Sequence, residues 1–217
     1  MLRLMLAVSL DGRLAPAAGG AAQLGGPGDR RALEEALAWA DGALLGAETL
    51  RCHGSTCLIH AADLLAERQR CGRPPQPTAL VVSRSGRFPT DLAFWRQPLQ
   101  RWLLMPHPPA DRAAPPQGFH RHVCQAGWSE MLAALADAGL QRLVLLGGAA
   151  LAGSLLAEGL VDELQLTLCP LLLGGSHSWL PAEPLLPGPQ TAAASWQLQE
   201  QRPLGGDELL LRYRRRV

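Results

Sequence analysis

Residues 142–158, RLVLLGGAALAGSLLAE, limit the possible folds more than any other stretch. An apolar run ends at Gly147–Gly148, and a helix-like run starts at once at Ala149. A strand that passes into a helix through two glycines is half of a β–α unit. The glycines permit a tight turn. They also leave bare backbone beside the unpaired N–H groups of a helix start, and that pairing makes an anion site. Both readings, tight turn and phosphate cradle, are open at this point.

The rest of the chain extends the β–α pattern. Leu2–Val8 is a short apolar run without a helical period, which predicts a buried strand. Residues 9–28 form a long loop rich in glycine, a kind of segment that usually carries function. Asp29 is placed to cap a helix over Arg30–Trp39, which contains the acidic pair Glu34 and Glu35. Strands are expected over Ala43–Gly46, Thr78–Ser83, Arg101–Met105, Phe119–Val123, Arg142–Leu146 and Glu163–Pro170. Helices are expected over Ala61–Arg70, Trp128–Ala138 and Ala149–Glu158. The proline-rich stretch 106–118 reads as a surface loop. Two closing strands, Ala193–Gln199 and Glu208–Arg214, are joined by a turn at Gly205–Gly206. Alternating strands and helices imply an α/β fold: a mostly parallel central sheet with helices on both faces and an antiparallel C-terminal edge. No repeat or linker divides the chain, so one domain over 1–217 is expected.

Composition narrows the function. Of 217 residues, 47% are hydrophobic and 18% charged, as in an ordinary globular protein. A net charge of +1 argues against general binding to nucleic acid or acidic membranes. Every basic residue is arginine, which excludes a Schiff-base lysine and a lysine phosphate clamp. The five cysteines are odd in number and lack a C-x-x-C, which fits reduced thiols in the cytoplasm. Cys52, His53 and Cys57 have no second pair to complete a zinc site, so no metal is expected. The apolar N-terminus stops at Asp11 and reads as a first strand rather than a signal peptide. No apolar stretch approaches the roughly 20 residues of a membrane span.

Three segments carry a family resemblance: LAVSLDGRLA (6–15), DGALLGAETLR (41–51) and LLGGAALAGSLLAEGLVDELQLTLCPLLLGG (145–175). In this order and spacing they resemble the pyrimidine reductase domain of riboflavin biosynthesis, which has a dihydrofolate reductase-like fold. The resemblance covers nearly the whole chain. It implies hydride transfer from NADPH to the ribose C1 of a phosphoribosylamino-pyrimidine, commonly by a homodimer. Members often carry a zinc deaminase domain in front. This chain lacks the H-x-E and P-C-x-x-C that such chemistry needs, so a reductase domain alone is expected. By resemblance, Gly147, Gly148, Ala149, Ala150, Leu151 and Ala152 cradle the cofactor pyrophosphate. Val8 and Thr49 lie beside the cofactor, and Ser83 with Arg84 meets its 2′-phosphate, a dianion that suits the forked donors of arginine.

Departures from the family pattern fall on the substrate side. Leu37 stands where an arginine is usual, His53 for an aspartate, Leu146 for a glutamate and Met5 for a lysine. A phosphate-holding arginine would fall near His60. Ser9, Leu37, His53 and Leu146 are therefore expected on the wall of a less charged substrate pocket, with Arg13, Arg30 or Arg51 as replacement phosphate partners. Glu48 and His53 form a candidate proton relay; alternatively, Glu48 points to solvent. Asp11, in SLDG, is either a catalytic acid or a turn residue accepting backbone N–H bonds. Two other functions stay open: an NADPH reductase of a different small substrate, and a noncatalytic NADP-binding protein.

Overall fold

A computed structural model describes residues 1–20, 24–106, 118–181, 186–192 and 195–216. Most of the expected 106–118 loop, and the first two residues of the expected strand Ala193–Gln199, lie outside the described residues. Two compact units divide the chain: residues 1–33 with 145–217, and residues 34–144. The first unit closes the N-terminal strand with the C-terminal third of the chain. That interleaving leaves no linker for composition to reveal.

In the first unit, β1 (Leu2–Ser9) pairs in parallel with β7 (Glu163–Cys169), with Leu4 opposite Leu164, Ala7 opposite Thr167 and Ser9 opposite Cys169. β1 is buried along nearly its whole length, which is why its sequence is a continuous apolar run rather than an alternation. β9 (Glu208–Arg215) joins β7 antiparallel, and β8 (Trp196–Gly205) pairs antiparallel with β9. The antiparallel edge is thus as expected, although its turn is one residue later. Gly205 pairs with Glu208, and Gly206 and Asp207 make the turn with φ of 60° and 61°. Two successive positive φ values mark the tight hairpin turn whose twist matches the strands. Pro203 is tolerated because β8 lies at the sheet edge.

Side chains alternate across a strand, so Arg3, Met5, Ala7 and Ser9 share one face with Glu163, Gln165, Thr167 and Cys169. This face is polar. The Glu163 carboxylate is fully buried and accepts from Arg3 Nε at 2.8 Å and from Arg214 Nε and Nη2 at 3.0 and 2.8 Å. Helix α1 (Pro27–Trp39) starts two residues before Asp29, so Asp29 lies in the first turn rather than at the expected cap. The helix start is close to β8: a Cβ on Gly28 would lie 2.0 Å from the Leu204 carbonyl oxygen.

In the second unit, β2 (Gly42–Gly46), β3 (Thr78–Val82), β4 (Arg101–Pro106) and β5 (Arg121–Gln125) pair in parallel in that order. β6 (Leu143–Leu145) starts where Asp41 accepts from the Arg142 backbone at 2.8 Å and its guanidinium at 3.1 Å. Helices α2 (Ala47–His53), α3 (Ala62–Arg70) and α4 (Trp128–Asp137) complete this unit; α2 was not anticipated. Leu45, Leu50, Val81, Phe94, Leu103 and Met105 form its core. Two buried polar groups tie the helix ends. Arg68, 2% exposed, donates to the carbonyls of Leu37, Ala38 and Ala40, satisfying acceptors that the end of α1 leaves free. Glu34 accepts from the backbone of His60 and Ala61, both at 2.8 Å, at the start of α3, which has no side-chain cap of its own.

Candidate active site

In the first unit, several of the candidate site residues lie at the C-terminal ends of β1 and β7. Open α/β sheets bind ligands outside the carboxyl ends of their strands. Val8 and Ser9 are buried there. The Ser9 hydroxyl donates to Asp11 at 2.5 Å and accepts the Arg13 N–H at 2.8 Å. Asp11 also accepts the backbone N–H groups of Leu173 at 3.1 Å and Gly174 at 2.8 Å. The loop after β1 is thereby latched to the loop after β7. The Ser9 and Leu173 bonds lower the Asp11 pKa to about 2, so this carboxylate has no proton to give near neutrality. The geometry provides the turn role of the two roles considered for Asp11.

The glycine junction has the expected form. Gly147 has φ of 102°, a conformation that L side chains rarely adopt. The Gly147–Gly148 peptide is cis. Gly148 caps α5 (Ala149–Ala157) in extended backbone, with no side-chain cap bond. The first bond of the helix runs from the Ala152 N–H to the Gly148 carbonyl at 3.0 Å. The N–H groups of Ala149, Ala150 and Leu151 therefore have no intrahelical partner. This donor set, uncapped at a helix start, suits a dinucleotide pyrophosphate. Leu146 is half-buried just before it. Met5 is 5% exposed, with the Gln165 amide 3.5 Å from its sulfur.

In the second unit the expected substrate residues are placed differently. Leu37 is fully enclosed among core residues, so it cannot line a pocket wall in this conformation. The apolar period of α1 turns it inward, where an arginine would leave a buried charge. Glu48 is exposed, with its side chain 89% accessible, and pairs with Arg51 at 3.3 Å. His53 is exposed at the other end of α2. Five helical residues separate the two by about 140° around the axis, so α2 does not bring them together as a relay. Glu48 points to solvent, the alternative already considered. Arg51 is engaged with the Arg87 carbonyl at 3.0 Å and the Phe88 ring. Thr49 is half-buried. Ser83 is buried and accepts the Gly86 N–H at 3.0 Å, while Arg84 is exposed with no ion pair among the described residues. His60 is exposed and held by its backbone to Glu34.

None of the five cysteines is in a disulfide. Among the described residues no group of three or more His, Cys, Asp or Glu could hold a metal. No helix among them is long and apolar enough to cross a membrane.

A mostly parallel sheet with an antiparallel edge, entered by a helix through a glycine pair, is an α/β fold of the dihydrofolate reductase type. The sequence model of the RibD C-terminal domain family matches residues 1–209, and the chain belongs to that family. It is 25% identical over 183 residues to the 2,5-diamino-6-ribosylamino-4(3H)-pyrimidinone 5′-phosphate reductase of Archaeoglobus fulgidus, covering 80% of this chain and 81% of that one. It is similar in fold to a pyrimidine reductase-like protein of Corynebacterium diphtheriae, with a TM-score of 0.78, 18% identity and coverage of 100% and 92%. It is also similar to Enterococcus faecalis dihydrofolate reductase complexed with NADP(H), with a TM-score of 0.54, 16% identity and coverage of 100% and 97%. The family and fold expected from the three segments are thus found.

Sequence reasoning missed three polar residues that the fold gathers in the first unit: Asp29, Thr167 and Glu208. Asp29 had been read as a cap, and Glu208 as the start of a strand. Strand register sets Thr167 and Glu208 on one face of β7 and β9, Asp29 lies in the first turn of α1, and no motif encodes either placement.

Proposed function

We propose that this protein uses NADPH to reduce a ribosylamino-pyrimidine 5′-phosphate, delivering hydride to the ribose C1 and opening the sugar. The resemblance further implies a homodimer working in the cytoplasm. The observation that carries the reading is the uncapped start of α5 behind Gly147–Gly148, in a chain matched to the reductase family over residues 1–209. The Archaeoglobus fulgidus relative is named as a reductase of such a phosphate, and the Enterococcus faecalis protein of like fold is complexed with NADP(H). A bound cofactor would supply the hydride. This chain's residues would hold its phosphates on backbone donors, without lysine.

One observation favours a second reading, reduction of a less phosphate-dependent substrate. Leu37 is fully enclosed and His53 is solvent-facing, so neither replaces the charge that the resemblance expects there. The deciding assay is turnover of the 2,5-diamino-pyrimidinone and the 5-amino-uracil ribosylamine phosphates with NADPH. Enzyme-like rates support the first reading. NADPH oxidation with another small carbonyl or imine substrate, but with neither of these compounds, supports the second.

Preference for NADPH over NADH is expected to rest on Arg84, whose guanidinium has no ion pair among the described residues. Losing one charge-assisted partner of the 2′-phosphate costs roughly 1.5–3 kcal/mol, or about ten- to a hundredfold in affinity. Arg84→Ala should weaken NADPH by that factor and leave NADH unchanged in a fluorescence titration. Equal losses for both cofactors would remove Arg84 from the phosphate site.

A further inference from the structure

The loops that follow β1 and β7 are paired into a fixed platform. The Leu10 N–H donates to the Leu171 carbonyl at 2.9 Å, the Leu14 N–H to the His177 carbonyl at 2.8 Å, and the Trp179 N–H to the Gly12 carbonyl at 3.2 Å. Arg13 and Ser178 face each other across an antiparallel bridge. The loops pack so closely that a Cβ on Gly175 would lie 2.7 Å from the Ala17 Cα. Ser9 holds both backbone groups of Arg13: its N–H donates to the Arg13 carbonyl at 3.1 Å, and its hydroxyl accepts the Arg13 N–H at 2.8 Å.

On this platform the Arg13 guanidinium makes no hydrogen bond among the described residues. Its Nε is buried without an acceptor. Its charged neighbour is the Asp11 carboxylate, 3.7 Å from Nε, which is too far for a hydrogen bond. Asp11 already accepts from Ser9, Leu173 and Gly174. The Arg13 side chain is 29% exposed, so most of its stem is enclosed while part of the group faces solvent. A guanidinium carries five N–H donors in a rigid fork, and enclosing such a donor without an acceptor is unfavourable. An unpaired group in an otherwise fully bonded loop calls for an explanation. A bound anion supplies one.

The surroundings fit a phosphate. Residues directly opposite in an antiparallel pair point to the same side, so the Ser178 side chain shares the Arg13 side of the platform. The Ser178 hydroxyl accepts the Leu180 N–H at 3.4 Å, and its own proton has no acceptor among the described residues. A fork of N–H groups beside a hydroxyl matches the several oxygens of a phosphate monoester. The position fits as well. A Cβ on Gly147 would lie 3.4 Å from the Leu6 side chain, so the glycine junction rests against β1. Ser9 follows about 10 Å further along the strand. The other arginines considered are committed: Arg51 to the Arg87 carbonyl and the Phe88 ring, and Arg30 to a partner of its own. Arg215 also has an unpaired Nε, but it adjoins Asp162 at the opposite end of β1, where the Leu2 backbone is bound.

We propose that Arg13, with the Ser178 hydroxyl, holds the 5′-phosphate of the ribosylamino-pyrimidine on this platform. The assignment rests on the reductase activity proposed above. It names a phosphate partner in a chain where Leu37 is enclosed and His53 faces solvent. The charge that recognises the phosphate then lies on the loop after β1 and not on α1. This subsite is separate from the cofactor phosphates, which are assigned to the start of α5 and to Arg84.

Two measurements test this on the full chain. The first needs no turnover: NMR of the arginine Nε–H groups during titration with ribose 5-phosphate and, separately, with ribose. The Arg13 signal, identified by its loss in Arg13→Lys, is expected to shift with the phosphate ester only. A signal that ignores ribose 5-phosphate overturns the site, whatever the activity. The second is kcat/KM with NADPH for the 2,5-diamino-pyrimidinone ribosylamine with and without its 5′-phosphate. The wild type should prefer the phosphorylated form. Arg13→Gln should lower that preference about ten- to a hundredfold, the usual effect of losing one charge-assisted partner, and should do so through KM rather than kcat. Arg13→Lys should keep part of the preference, and Ser178→Ala should lower it by less than Arg13→Gln does. Equal losses on both compounds, or an unchanged preference in Arg13→Gln, overturn phosphate binding by Arg13. If neither compound is reduced by the wild type, the proposed activity falls, while the ribose 5-phosphate titration still decides whether Arg13 holds a sugar phosphate.

Discussion

Replacing Gly148 by aspartate is expected to abolish NADPH binding in a chain that stays folded. Gly148 is the N-cap of α5 and has extended backbone with φ of −80°. Aspartate is among the best residues for that position, because its side chain accepts an N–H of the first turn. The substitution should therefore keep or raise helix stability. It also takes the donors that a pyrophosphate would use and adds a negative charge beside it. Two unit charges 4 Å apart at an effective dielectric of 20 repel by about 4 kcal/mol, which is about a thousandfold in affinity. Titration of NADPH by fluorescence, with a thermal melt of the same sample, checks both halves. Unchanged affinity in the folded variant would move the pyrophosphate elsewhere.

The largest stability effect is expected at Glu163. Its buried carboxylate faces Arg3, Arg212 and Arg214 at 2.8, 3.8 and 2.8 Å, and Arg3 is itself only 8% exposed. Glu163→Gln leaves the Arg3 charge enclosed without its partner. Breaking a buried pair in this way costs about 3–5 kcal/mol. At roughly 2–4 °C per kcal/mol for a chain of this size, the Tm should fall by about 6–20 °C. The pH dependence has a definite sign. Burial alone would raise the Glu163 pKa, but the hydrogen bonds and charges of Arg214 and Arg3 outweigh it and hold the pKa below its ordinary 4.5. A carboxylate lowered on folding adds stability above its unfolded pKa and loses it as pH falls through the folded value. Wild type should thus lose stability below about pH 4.5 through this group, and the variant should lack that component. A variant melting within 2 °C of wild type, with the same acid profile, would show that the cluster contributes little.

Local sequence carried much of the fold. The apolar runs of β1, β3, β4, β6 and β7 and the helices α3, α4 and α5 were legible because period and glycine or proline punctuation are local signals. α2 was not, because AETLRCH has seven residues and one buried leucine, too few for an amphipathic period. The candidate site divided in the same way. Gly147 and Gly148 announced themselves through composition. Leu37 was misplaced because a position aligned with a family's ligand-binding residue says nothing about which way a helix turns its side chain, whereas for Glu48 the sequence left both directions open and the structure turns it to solvent. The Asp29, Thr167 and Glu208 cluster was invisible because β7 and β9 acquire their register only when folded. The role of Arg68 was hidden for a similar reason. A lone arginine in a helix reads as a surface residue, and only the exposed carbonyls at the end of α1 explain its burial.

The pairing of β1 with β7 also sets a timetable. A hydrogen bond from the Leu2 backbone reaches the Asp162 side chain, 160 residues further along the chain. During synthesis the apolar strand β1 leaves the ribosome some 160 residues ahead of the segment that begins β7. At roughly 5–20 residues per second, the strand waits about 8–30 seconds with its hydrogen-bonding edge open. Such a strand is a template for wrong partners. A nascent chain stalled before residue 163 should therefore depend on chaperone binding to segment 2–9, and release past the end of β7 should end that dependence.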